Sequence, residues 1–158
     1  MKTKIIAEIG INHNGSIEEA KKLIMLSKVA GCDYVKIQKR NPDKCVPDNQ
    51  KNKPKSTPWG DMTYLEYKKR IEFSEEQIIE LCNYSKSIGI NFFASVWDKD
   101  SVDLMKKYTK VGKIPSALIT NLDLCKYARE NFELLIISTG RALKKKLLNV
   151  GMHVIQML

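Results

Sequence analysis

The sequence predicts a parallel α/β sheet covered by helices, and three observations carry that prediction. Short β-branched apolar runs alternate with longer amphipathic stretches along the whole chain. The strand-like runs are apolar almost without interruption, as strands buried on both faces are. The chain has 158 residues, room for five strand–helix units but short of the ~250 residues a closed eight-stranded barrel typically needs. A small open doubly wound sheet and the front portion of a barrel both satisfy that count.

Taken in order, residues 4–11 (KIIAEIGI) read as the first strand, ended by the Asn12-His13-Asn14-Gly15 turn. Ser16 is placed to cap a helix whose first turn holds Glu18 and Glu19 against the positive helix end. Gly31 stops that helix, and residues 34–38 (YVKIQ) form the second strand. Residues 39–62 carry Pro42, Pro47, Pro54 and Pro58 and are expected to form a long irregular segment of the functional or mobile kind. A short helix over 63–73 follows, then a capping box, Ser74-Glu75-Glu76-Gln77, opens a helix that runs to Gly89. Residues 90–96 (INFFASV) are the third strand and 98–107 the next helix. Residues 113–117 form a fourth strand, expected at an edge or irregular because of Pro115. Residues 121–131 are helical and 134–138 (LLIIS) make the fifth strand, closing on Thr139-Gly140.

Composition narrows the classes. No apolar run approaches the ~20 residues of a membrane-spanning helix, and residues 1–6 lack the apolar core of a signal peptide. A cytoplasmic protein with reduced thiols is expected, since Cys32, Cys45, Cys82 and Cys125 show neither metal-type spacing nor a dense framework. The formal charge is +9. Its lysines are scattered through helix-like stretches, so solvated helix faces explain the excess better than a nucleic-acid surface, although a small anionic substrate could exploit the same field. The aromatic cluster Trp59, Tyr64 and Tyr67 reads as loop packing.

In parallel α/β folds the functional groups sit where strands end and loops begin. Polar residues at those places are Glu8, Asn12 and His13; Lys36 and Gln38; Ser95 and Asp98; Lys113 and Ser116; and Ser138 and Thr139. A charge inside a buried sheet costs several kcal/mol unless paired. An ion pair that only braces the sheet is the plain alternative for Glu8 and a lysine. Three charged strands converging with hydroxyls point instead to a site for a phosphate or carboxylate, with Glu8 as general base or water-orienting group. No GxGxxG or Walker motif is present, and His13, in a turn, is expected to hydrogen-bond locally.

The stretch from Ile6 to Gly15 (IAEIGINHNG) resembles the opening of the N-acetylneuraminate (sialic acid) synthase family, whose relatives make legionaminic and pseudaminic acids and spore-coat polysaccharide precursors. The resemblance continues in order through VKIQ (35–38), TPWGDMTY (57–64), FAS (93–95), KIPSA (113–117) and ISTG (137–140). It implies an incomplete TIM (β/α)8-type barrel of five to six units. It further implies a phosphoenolpyruvate-dependent, carbon–carbon bond-forming transferase that joins phosphoenolpyruvate to N-acetylmannosamine or a related N-acyl amino sugar, releasing phosphate. By position Glu8 resembles the catalytic carboxylate. Lys36, Gln38, Ser95, Lys113, Ser116 and Ser138 resemble the phosphoenolpyruvate contacts or lie beside them, and Asn12 and His13 occupy the loop over the site.

The family uses a divalent metal, Mn2+ or Mg2+, and is usually homodimeric. Its metal-binding histidines lie in later strands, so this chain is expected to hold no metal, and neither nucleic acid nor membrane is an expected partner. Arg141 stands where the family has methionine, and the residues from Ala142 onward depart from its pattern. Residues 1–140 are therefore expected to be the N-terminal portion of a barrel and 141–158 a divergent tail, as in a truncated gene product with a frameshift after Gly140. Turnover by such a chain is expected to be weak or absent. The alternative is a non-catalytic remnant or a phosphoenolpyruvate-binding partner of a complete barrel.

Overall fold

A computed structural model describes residues 3–140, which fall into two compact units divided between Phe92 and Phe93. In the first unit, strand β1 (Ile6–Gly10) pairs in parallel with β2 (Tyr34–Lys39), aligning Ile6 with Tyr34, Ala7 with Val35 and Glu8 with Lys36. The register shifts between Glu8 and Gly10. Gly10 has φ +60°, and a Cβ there would lie 3.2 Å from Glu8 Oε1, so glycine lets the strand end without displacing that carboxylate.

Helix α1 (Ile17–Val29) connects the two strands. Ser16 accepts from the Glu19 amide as predicted, and the helix ends at Ala30 before Gly31. Ala20 and Ile24 are fully buried, one turn apart on the face toward the strands.

The irregular segment expected over 39–62 is instead structured. Two single-turn helices, α2 (Pro42–Cys45) and α3 (Asp48–Lys51), lead into an antiparallel hairpin of β3 (Pro54–Thr57) and β4 (Gly60–Thr63). The prolines sit where their missing N–H and fixed φ are harmless: Pro42 opens α2, Pro47 precedes α3 and Pro54 starts a strand. Thr57 Oγ1 closes the turn, donating to the Gly60 carbonyl and accepting from the Trp59 amide. Helix α4 (Tyr64–Arg70) has its own capping box, Thr63 with Glu66. Helix α5 (Glu75–Ser87) has the predicted one, Ser74 with Gln77, and packs against α1.

In the second unit β5 (Asn91–Val96), which starts at the boundary, pairs in parallel with β6 (Val111–Ile114), and β6 with β7 (Leu134–Ile137). The fourth strand thus starts two residues earlier than predicted and is flanked on both sides. Pro115 follows it and opens a 3-10 turn (Ser116–Leu118), so the missing N–H falls outside the ladder. Helices α6 (Lys99–Met105) and α7 (Leu122–Asn131), capped by Asp98 and Asn121, pack together, with Tyr127 donating to Asp103 at 2.7 Å. A Cβ on Gly112 would fall 2.3 Å from the Phe132 ring, so β6 and the end of α7 approach as closely as they do only because that residue is glycine. Phe93, Met105, Ile114, Leu124 and Phe132 fill this unit's core. The helix and strand expected beyond residue 141 lie outside the described residues. No helix among the described residues is long and apolar enough to cross a membrane.

Candidate active site

The register of β1 and β2 sets Glu8 opposite Lys36, and their side chains join at 2.6 Å between Oε2 and Nζ. The two partners differ sharply in exposure: the Lys36 side chain is 2% exposed and the Glu8 side chain 53%. Glu8 is therefore not buried as predicted. Among the described residues β1 has a neighbouring strand on one side only, which leaves its strand end open to water. A sealed ammonium thus has its carboxylate partner on the solvent side, an arrangement suited to an incoming anion. Gln38 follows Lys36 at the strand period, on the same face of β2 and half-buried.

Beyond β1 the chain turns through Asn12, which is exposed, and His13, which is 1% exposed. His13 Nδ1 accepts from the Gly15 amide at 3.0 Å, and the ring stacks on Phe73 with centroids 4.1 Å apart. The predicted local hydrogen bond is present. Burial lowers the His13 pKa to about 4, the Arg40 charge adds to the effect, and a bond to the Gly10 backbone opposes it. The imidazole is neutral at pH 7.

Two buried charged residues beside the site were not anticipated, Arg40 and Glu72. Their side chains, 7% and 9% exposed, form an ion pair, and the Arg40 amide donates to Glu72 Oε2 at 3.3 Å. Desolvation raises the Glu72 pKa in spite of Arg40 and Lys39, which pull it down. Lys39 Nζ donates to the Phe73 carbonyl at 2.6 Å. The end of β2, the His13 turn and the segment after α4 are thereby tied into one buried cluster. The sequence holds a signal for it: Lys36, Gln38 and Arg40 continue the period of two into the stretch expected to be irregular.

In the second unit, Ser95 is fully buried in β5 and aligned with Lys113 of β6, which is half-buried and aligned in turn with Ile136 of β7. Ser138, two residues after Ile136, returns to the same side, and its amide donates to the Ile114 carbonyl at 3.1 Å. Ser116 sits in the 3-10 turn directly after β6. Two hydroxyls and an ammonium therefore share one side of three adjacent parallel strands near their C-terminal ends, with a third hydroxyl at the turn. Asp98 is committed to capping α6, accepting from the Ser101 amide and hydroxyl.

Other chemistry finds little support. Burial pushes the Cys82 thiol up to about 11 and raises Cys125, so neither is a thiolate nucleophile at neutral pH. Among the described residues no group of three His, Cys, Asp or Glu side chains could hold a metal ion. The aromatic cluster packs on its own neighbourhood, with Arg70 over Trp59 and Lys68 over Tyr64 and Tyr67.

Comparison with known proteins gives these groups a context. The NeuB family matches residues 23–155. The N,N'-diacetyllegionaminic acid synthase of Campylobacter jejuni is 37% identical over 144 residues, covering 89% of this chain and 43% of that protein. The N-acetylneuraminate-9-phosphate synthase of Drosophila melanogaster is 39% identical over 139 residues, covering 86% and 37%. The chain thus spans about 40% of the length of these relatives. In fold it is similar to the N-acetylneuraminic acid synthetase of Leptospira borgpetersenii, with a TM-score of 0.87 at 24% identity over 99% of this chain and 51% of that one. The predicted fold class, an incomplete TIM-type (β/α) barrel, agrees with this likeness. The chain belongs to the NeuB family of sialic and legionaminic acid synthases, of which it represents the N-terminal part of the barrel.

Proposed function

We propose that the chain carries the enol-phosphate half of a nonulosonic acid synthase site. The reaction joins phosphoenolpyruvate to the open-chain aldehyde of N-acetylmannosamine or a related N-acyl sugar. The enol carbon forms the new carbon–carbon bond, water adds to the oxocarbenium left at the neighbouring carbon, and the bond to the phosphate oxygen then breaks to release inorganic phosphate. The observation that supports this reading best is the Glu8–Lys36 pair, a desolvated cation whose carboxylate partner faces water.

In this assignment Lys36 and Gln38 of the first unit contact phosphoenolpyruvate and Glu8 orients the water or accepts its proton. For Ser95, Lys113, Ser116 and Ser138 of the second unit the same contact role rests on the family resemblance alone. The neutral His13 keeps the Asn12 turn in place beyond β1. A divalent metal belongs to the expectation for complete family members. Among the described residues no group of three His, Cys, Asp or Glu side chains could hold it.

A second reading, a phosphoenolpyruvate binder without turnover, rests on the same Glu8–Lys36 pair, which suits an anion whether or not the anion reacts. Phosphate release, assayed with phosphoenolpyruvate, N-acetylmannosamine and manganese, separates the two. Sugar-dependent release that Glu8→Gln abolishes supports catalysis. Binding of phosphoenolpyruvate with no release supports the binder, and neither binding nor release by the folded chain defeats both.

A further inference from the structure

The imidazole of His13 is held from outside β1. Its ring stacks on Phe73 at 4.1 Å, and Phe73 is tied to the end of β2 by Lys39 Nζ, which donates to its carbonyl at 2.6 Å. The turn itself is pressed onto the same segment, since a Cβ on Gly15 would fall 2.4 Å from the Arg70 carbonyl. The connection between α4 and α5 therefore fixes the ring. Toward β1, Nδ1 accepts from the Gly15 amide at 3.0 Å, which places the proton of the neutral ring on Nε2, and the ring also bonds to the Gly10 backbone.

Gly10 is the residue against which Glu8 lies. It has φ +60°, and a Cβ there would be 3.2 Å from Glu8 Oε1. The register with β2 shifts between the two residues, so the conformation of Gly10, more than the ladder, sets how the chain leaves Glu8. We propose that His13 is a positioning residue for Glu8. By bridging Gly10 and Gly15 it holds Gly10 in the left-handed conformation beside which the Glu8 carboxylate reaches Lys36. What Glu8 does there rests on the function proposed above; its placement does not.

The test reads the ion pair before it reads the ligand. The Nζ resonance of Lys36 is followed by NMR in the 158-residue chain, and Glu8→Gln marks its position without the carboxylate. His13→Phe keeps a ring on Phe73 and removes both hydrogen bonds, and it should move the resonance by about half or more of the Glu8→Gln displacement. His13→Gln, which can retain one of the two bonds, should move it less, and carries the comparison where His13→Phe does not fold. Gly10→Ala, which crowds the carboxylate directly, should move it with His13 intact. In the Glu8→Gln background the His13 substitution should move nothing further, whereas a general loosening of the fold would act with or without Glu8. An unmoved resonance in the folded His13 variants, or equal shifts in both backgrounds, overturns the proposal.

Titration of phosphoenolpyruvate separates this role from the proposed function. His13→Phe should change the affinity in the same sense as Glu8→Gln, a tightening of about threefold or more, and add nothing in the double variant. Opposite senses or additive effects overturn the positioning role. A chain that binds no phosphoenolpyruvate, while His13→Phe still moves Lys36, overturns the proposed function and supports the positioning. Binding with Lys36 unmoved does the reverse.

Discussion

Two ion pairs of the first unit have a buried cation, and they differ in the exposure of the carboxylate. In both, the cation is almost sealed from water: Lys36 at 2% exposure and Arg40 at 7%. Their carboxylates part company, Glu8 at 53% and Glu72 at 9%. A carboxylate that water already reaches can give up its cation to an arriving anion at little desolvation cost. One buried with its cation cannot leave without stranding a charge. On the proposed function the first pair exchanges its carboxylate for a ligand, while the second stays closed.

The largest effect expected from breaking this contrast falls on the closed pair. Glu72→Leu strands the Arg40 guanidinium and should cost about 3–5 kcal/mol in urea unfolding, a large part of a small domain's stability. Arg40→Met added to it should recover most of that loss, because two apolar groups replace a matched pair. Next comes pH. The His13 pKa is depressed in the fold, so its contribution to stability is complete above pH 6.5 and is lost as pH falls toward 4. Unfolding followed across that window should show a loss of about 1–3 kcal/mol, discounted for partial solvent screening, which His13→Gln flattens. The raised pKa of Glu72 acts in the opposite sense, favouring the fold when that carboxyl is protonated. The open pair should divide. Glu8→Ala leaves the sealed Lys36 ammonium with only water to replace the carboxylate and should cost about 1–3 kcal/mol. Lys36→Met, which strands a carboxylate that water already reaches, should change unfolding by no more than about 1 kcal/mol. A loss at Glu8 as large as that at Glu72 would erase the distinction.

The sequence disclosed the strand–helix alternation because each element carries its own signal. Ser16, Ser74 and Asn121 each cap the helix that follows, and the apolar strands need no tertiary context to be read. The hairpin over residues 54–63 was hidden because its prolines signal irregularity when counted, and reveal order only when each is placed at the start of an element. A pair between Glu8 and a lysine was legible in the charged strands, but its register with Lys36 and the exposure of Glu8 were not, since they depend on how the strands align and which strands flank β1. Arg40 and Glu72 stand 32 residues apart, and no local pattern joins them. Their pairing exists only once α4 has returned the chain to the end of β2.

The exchange itself is open to direct measurement by calorimetric titration of phosphoenolpyruvate into the wild-type chain, Lys36→Met and Glu8→Gln. If Glu8 competes with the ligand for the buried ammonium, Lys36→Met abolishes the binding heat and Glu8→Gln tightens binding. The same affinity in wild type and Lys36→Met, or weaker binding in Glu8→Gln with its fold intact, would contradict the account.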